Sequence, residues 1–304
     1  MQVTDHIFSI PAEQAFYTGP QSPNVFLVRD GDEAALIDSG FGDEPSVKAR
    51  LDFLAEHEGV SVKYIVLTHH HFDHSSGAAQ LRDATGGAVA LHPREEELLR
   101  DWQSKAPQDI EVPEEMKELA EKVETFRKQA AEADPTIKMN DGDEFAVGDL
   151  TLRVVHTPGH TLGSVCIHIP QERALFTGDT ALGLGTVAIS PPPHGDMALY
   201  LESLERLKTL DSELMLPGHG QEVHDVPAKL QELIDHRLAR EEQIVGLIRK
   251  GKGTPKAMLS AIYPELDKRM LPAARRQIEA HLAKLESESR VARAGDEWTL
   301  AGDR

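Results

Sequence analysis

Residues 63–74 read Lys63-Tyr64-Ile65-Val66-Leu67-Thr68-His69-His70-His71-Phe72-Asp73-His74, a buried-strand pattern running straight into a histidine cluster. Alternate side chains of an extended segment point to the same side, so His69 and His71 can converge on one metal ion. The chain then turns, and Asp73 and His74 can face a second position nearby. Ligands at a strand's end stand on a rigid base and reach into an open cavity. Three further segments repeat the form of strand, tight glycine turn and ligand type: Val154–His160 (VVHTPGH), Ala174–Asp179 (ALFTGD) and Leu214–His219 (LMLPGH). Imidazole suits zinc, and a carboxylate between two ions bridges them and helps set their spacing. A single surface histidine is usually solvated and binds nothing. Four strand ends carrying five His and two Asp are hard to explain that way, and they point to a binuclear metal site.

Working outward, Asn24–Arg29 and Ala34–Asp38 are apolar runs around the turn Asp30-Gly31-Asp32, a hairpin. Val47, Leu51 and Leu54 give Glu44–Glu56 helical spacing. Ser75–Arg82 reads as a helix and Ala88–His92 as a short strand. Residues 94–133 form a charged helical insertion, with Met116, Leu119, Val123 and Phe126 on one face and breaks at Pro107, Pro113 and Pro135. Two compatible roles stand open for it: amphipathic helices packed on the core or in a dimer contact, or a cap over the active site. Strand patterns return over Glu144–Ile169 and Ala174–Thr177, followed by a helix over Leu199–Leu210 and a strand over Leu214–Leu216. This order suggests a four-layer αββα sandwich within an α+β fold.

From about residue 225 the character changes. Leu230, Leu233, Ile234, Leu238, Val245 and Ile248 mark a long helix ending at Gly251. Thr254 caps a short helix that opens on Pro255. Lys268–Ser287 is a third helix, and Arg290–Leu300 a hairpin around Gly295-Asp296. Three helices and a hairpin make a small winged-helix domain, so the expected domains are 1–224 and 225–304.

The formal net charge is −19, and its distribution is uneven. Residues 1–224 hold 17 Lys and Arg against 38 Asp and Glu, while residues 225–304 hold 15 against 13. Such an acidic surface disfavours non-specific nucleic-acid binding, because polyanion affinity comes largely from basic side chains replacing counterions. The single cysteine, Cys166, excludes an internal disulfide framework and reads as a small core residue of a strand. No apolar run has membrane-spanning length, and the start MQVTDHIFSI lacks signal-peptide features, so the expected location is cytoplasmic.

At its ligand-bearing segments the sequence resembles the metallo-β-lactamase superfamily over residues 3–224. The resemblance implies that His69, His71 and His160 hold one ion, that Asp73, His74 and His219 hold another, and that Asp179 bridges them. It implies that Asp38, in Leu36-Ile37-Asp38-Ser39-Gly40, supports the histidine ligands from behind. Zinc is the expected metal, with Mn or Fe as alternatives. The absence of a cysteine ligand separates the chain from the zinc β-lactamases that use one, so antibiotic hydrolysis is not implied. His236-Arg237-Leu238-Ala239-Arg240-Glu241-Glu242-Gln243-Ile244 and His281-Leu282-Ala283-Lys284-Leu285 resemble a branch that ends in a winged helix and includes single-strand endoribonucleases.

The expected activity is hydrolysis of a small ester, thioester or lactone by a metal-bridging hydroxide, with Asp73 orienting the nucleophile and accepting its proton. Endoribonuclease action, with Arg269, Arg275, Arg276 and Lys284 on phosphates, is the alternative, and a mononuclear iron sulfur dioxygenase a weaker one. A small molecule is therefore preferred to RNA as partner, no membrane partner is expected, and a homodimer is compatible with the sequence. Ser164 reads as a strand or turn residue, with no nucleophile role. In the loop Ala181–Asp196, His194 faces either substrate or solvent, the exposed position being the simpler reading.

Overall fold

The computed structural model describes residues 1–11, 22–57, 59–101, 117–267 and 270–302. These divide into two compact units: Met1–His156 with Gly163–Leu184 and Asp211–His224, and Thr157–Leu162 with Gly185–Leu210 and Asp225–Arg304.

The first unit holds two mixed sheets. One has the order β1 (Ile7–Ile10), β2 (Val25–Asp30), β3 (Glu33–Ile37), β4 (Ser61–Val66), β5 (Ala88–Leu91), β6 (Ile137–Lys138). β1, β2 and β3 pair antiparallel, and β3 to β6 parallel. The other sheet runs β11 (Leu214–Pro217), β10 (Ala174–Gly178), β9 (Val165–Ile169), β8 (Leu150–His156), β7 (Glu144–Val147), antiparallel except for the parallel pair β10 and β11. Side-chain alternation assigns the two faces of β2. Phe26 and Val28 join Ile37 and Val66 in packing against Leu152, Val154, Ile167 and Phe176 of the other sheet. Leu27, with Leu36, Ile65 and Val89, packs on the opposite face against Val47 of α1 (Glu44–Ala55), Leu81 of α3 (Ala78–Thr85), Leu99 of α4 (Pro93–Arg100) and Ala130 of α5 (Lys117–Ala131). Strands covered on both faces read as continuous apolar runs, which is why the sequence pattern shows them. The one-turn α2 (Phe72–Ser75) interrupts the chain after β4.

The second unit contains α6 (Met197–Leu207), α7 (Val226–Arg249), α8 (Pro255–Ile262), α9 (Leu271–Ser287) and the hairpin β12 (Val291–Ala294) with β13 (Glu297–Leu300). Ile244, Val245 and Ile248 of α7 meet Met258 of α8 and Ile278, Leu282 and Leu285 of α9. Thr254 caps α8 by accepting from Ala257 N at 3.2 Å, with Pro255 in the first turn. Each cap of this kind contributes about 1 kcal/mol.

Cys166 is buried in β9. The expected third helix is found from Leu271; Lys268 and Arg269 lie outside the described residues, as do Pro107, Pro113 and Met116. The two-residue β6, which pairs with Ala90 and Leu91, is too short to carry a period and has no counterpart in the sequence reading. Among the described residues no helix is long and apolar enough to cross a membrane.

Candidate metal centre

β4 ends at Val66, and Thr68 O then accepts from Val165 N at 3.0 Å, tying the ligand segment to the second sheet. The extended path stops at His71, where α2 begins, so Asp73 and His74 take different directions from His69 and His71. Phe72 between them stacks on Phe126 of α5 at 6.1 Å, with an interplanar angle of 3°. The described part of the 94–133 insertion thus packs behind the ligand segment. β10 and β11 run parallel, and their ends deliver Asp179 and His219 side by side. Gly218 N donates to Gly178 O at 2.7 Å, and Asn24 Nδ2 holds the carbonyls of Pro217 and Gly220. Gly178 has φ +46°, and a Cβ there would lie 2.5 Å from Thr68 Oγ1, so both conformation and space require glycine.

Two groups of donors result. His69, His71 and Asp179 offer ligand atoms within 4.8 Å of one another, and so do Asp73, His74 and His219. His69 Nε2 and His71 Nδ1 are 3.0 Å apart, and His74 Nε2 and His219 Nε2 are 3.2 Å apart. The groups adjoin: the His69 and His74 ring centroids are 4.3 Å apart. Asp179 Oδ1 stands 3.5 Å from both His74 Nε2 and His219 Nε2, and Asp73 Oδ2 is 3.3 Å from His219 Nε2. A carboxylate placed between two imidazole sets suits a bridging ligand.

Asp38 lies behind this cluster, 2% exposed. Its backbone is left-handed (φ 60°), a conformation that Asp tolerates better than most residues. Oδ1 accepts from Thr68 N at 2.7 Å, while Oδ2 accepts from Thr68 Oγ1 at 3.0 Å and faces His74 Nδ1 at 2.8 Å. A proton held on Nδ1 by the carboxylate leaves the Nε2 lone pair facing the cluster.

The electrostatics ask for a cation. Burial lowers the His74 pKa, but the carboxylates of Asp179, Asp38 and Asp73 outweigh it and raise the imidazole to about 10. His219 is likewise raised, Asp73 and Asp179 overcoming its burial. Burial would raise Asp73, yet His74, His219 and His71 hold its carboxyl well below the usual range. Nitrogen and carboxylate donors of this kind, crowded to 3.0–3.5 Å and demanding positive charge, fit divalent ions.

His160 belongs to the second unit, where Ala188 O accepts from its Nδ1 at 2.9 Å. His194 is exposed, and Ser164 is buried. One residue of the first unit escapes sequence reading. Glu95, fully buried, accepts from His70 N (2.9 Å) and Gly163 N (2.7 Å) and meets His70 Nδ1 at 2.5 Å. It therefore clamps the ligand segment to the start of β9. Nothing in the run Arg94-Glu95-Glu96-Glu97 separates it from its neighbours. Lys284, one of the four basic residues considered for phosphate contact, is instead half-buried and paired with Glu241 at 3.0 Å and Glu288 at 2.6 Å. Arg275 pairs with Glu279 at 2.8 Å on the helix surface.

Fold and site together define a metal-dependent hydrolase, and the chain belongs to the Metallo-beta-lactamase superfamily, which matches residues 18–219. Residues 254–298 match the Beta-lactamase associated winged helix domain, confirming the α+β sandwich with a C-terminal winged helix. A Beta-lactamase-like protein 2 homolog from Drosophila melanogaster is 30% identical, covering 91% of this chain and 87% of that protein. An Atrochrysone carboxyl ACP thioesterase from Pseudocercospora fijiensis is 26% identical over 96% of this chain and 78% of its own length. The crystal structure of a metallo-beta-lactamase family protein from Thermus thermophilus superposes with a TM-score of 0.80 at 24% identity, covering 98% of this chain and all of that one.

Proposed function

We propose that the chain hydrolyses a small thioester, or a related ester or lactone, with two divalent ions, zinc foremost. His69, His71 and His160 would hold one ion, Asp73, His74 and His219 the other, and Asp179 both. The observation carrying this reading is the pair of adjoining donor groups with Asp179 Oδ1 3.5 Å from both His74 and His219. Thioesters come first because one relative is named a thioesterase. The excess of acidic residues over 1–224 also favours a small substrate over a polyanion.

Bound ions supply a Lewis acid for the carbonyl oxygen and lower the pKa of water at the site. Asp73 stays ionised among its imidazole neighbours, so it can accept a hydrogen bond from that water and orient it, while the same neighbours weaken it as a proton acceptor. Asp38 keeps His74 in the tautomer that presents Nε2. Glu95 holds the peptide between His69 and His70, and with it the directions of His69 and His71.

The test is metal analysis of the purified protein alongside thioester, lactone, phosphodiester and single-stranded RNA substrates. Two ions per chain are expected, with thioester turnover that a chelator removes and zinc restores. Thioester turnover unchanged after complete metal removal would overturn the metal reading. RNA cleavage without thioester turnover would overturn the substrate.

A further inference from the structure

The C-terminal unit buries an arginine that the chemistry above does not use. Arg237 of α7 is fully buried, although it stands among the polar residues His236, Arg240 and Glu241. Its Nη2 donates to the carbonyl of Val187 at 2.6 Å, and its guanidinium lies 5.2 Å over the ring of Tyr200. Nε and Nη1 have no hydrogen-bond partner among the described residues. A buried guanidinium with only one hydrogen bond is a costly arrangement, and the place of that bond is informative.

The next residue after Val187 is Ala188, whose carbonyl accepts from His160 Nδ1 at 2.9 Å. A second set of contacts holds the two residues that precede His160. Tyr200, beneath the guanidinium, packs on Gly159 so closely that a Cβ there would lie 2.4 Å from Tyr200 Cα. Asp196 N donates to Gly159 O at 2.9 Å, and Ser203 Oγ to Pro158 O at 2.8 Å. All of these residues belong to one compact unit, which holds the loop Thr157–Leu162 together with residues 225–304.

We propose that Arg237 is a positioning residue for His160, an inference that rests on the metal reading above. By holding Val187, it fixes the carbonyl of Ala188. That carbonyl keeps the proton on His160 Nδ1 and leaves the Nε2 lone pair for the ion. Stacking on Tyr200 while donating sideways from the edge requires the planar fork of arginine; a lysine could donate but not stack. The C-terminal helices thereby help orient one of the ligands.

The experiment uses full-length Arg237→Met, Arg237→Lys, His160→Ala and the Arg237→Met/His160→Ala double variant. Each is stripped and titrated with zinc against a chromophoric chelator, and cobalt-loaded samples are compared by visible spectra. Arg237→Met should weaken the His160 ion by roughly 10–100-fold and alter the cobalt spectrum, leaving the other ion near its wild-type affinity. Arg237→Lys should lose affinity several-fold. In the His160→Ala background, Arg237→Met should add no further loss. A merely structural role would lower the melting temperature and leave the zinc affinity of the folded protein unchanged, which would overturn the proposal. So would a full further loss in the double variant. Should Arg237→Met not fold, Arg237→Lys decides alone: weakened zinc binding sustains the proposal and wild-type affinity ends it. If wild-type protein binds no zinc, the metal reading has failed; if it binds two ions and the arginine variants match it, only the role of Arg237 has.

Discussion

Replacing Asp38 by Asn tests how the site is built, because the change preserves size and tolerates the left-handed backbone at this position. The carboxylate receives Thr68 N at 2.7 Å on one oxygen, and Thr68 Oγ1 (3.0 Å) and His74 Nδ1 (2.8 Å) on the other. An amide has only one oxygen, so its NH₂ must replace one of these two acceptors. If it faces Thr68 N, two donors oppose each other in a buried site, at a cost of about 1–3 kcal/mol. If it faces His74, Thr68 Oγ1 can rotate to accept, but Nδ1 must give up its proton. The imidazole then carries hydrogen on Nε2, the atom that faces His219 at 3.2 Å, and its ligand lone pair is lost. Either outcome should weaken the ion at Asp73, His74 and His219 by roughly 10–100-fold, about 1.4–2.7 kcal/mol. The ion at His69 and His71 should weaken less, since Asp38 reaches His69 only through Thr68 Oγ1, which stands 3.0 Å from His69 Nδ1. Chelator competition with metal counting reads the two affinities, and nitrogen NMR of the His74 ring reads its tautomer. Two ions bound at wild-type affinity, with His74 still protonated on Nδ1, would refute the reasoning.

Further outcomes are expected. Asp179→Asn removes the charge 3.5 Å from both His74 and His219, so metal content should fall and turnover vanish; two ions at full activity would contradict the bridge. Gly218→Ala places a Cβ 2.7 Å from His74 Cε1 and 2.8 Å from Asp179 Oδ1, and should lower zinc content and kcat at least tenfold. Glu95→Ala strands one buried backbone donor, Gly163 N, and one half-buried, His70 N, and should cost about 2–3 kcal/mol in denaturant unfolding; a loss below about 0.5 kcal/mol would place it with neutral surface changes. In chelator-treated protein, His74 is raised from 6.5 to about 10, so its stabilising charge is complete below pH 6.5 and disappears as pH rises through 10. Melting temperature should therefore fall across that window. Asp73, being lowered, acts with the opposite sign and only at acid pH, so it does not mask the trend. Zinc should abolish the decline by replacing the proton.

Local chemistry made much of this protein legible from its residues. The histidine run follows an apolar strand and therefore stands at a sheet's end, and Pro-Gly-His and Thr-Gly-Asp each announce a turn into a ligand. Both faces of β2 and β3 are covered, so their apolar runs needed no partner to be recognised. Thr254-Pro255 carries its own helix start. Each of these signals lies within a few residues of what it specifies, which is why sequence could supply the α+β class and the candidate ligands.

Long-range pairing decided the rest. Glu95 looks like any acid of a charged helix until the fold brings His70 and Gly163 to it. Lys284 reads as a solvated cation, yet α9 turns it onto the buried Glu241. Arg237 sits in a polar run, and the carbonyl that justifies its burial belongs to Val187, 50 residues earlier. Even the division of the chain followed space over order, with Thr157–Leu162 grouped with helices that begin after residue 225. A side chain's charge is written in its own position, but whether water or protein answers that charge depends on segments far along the chain.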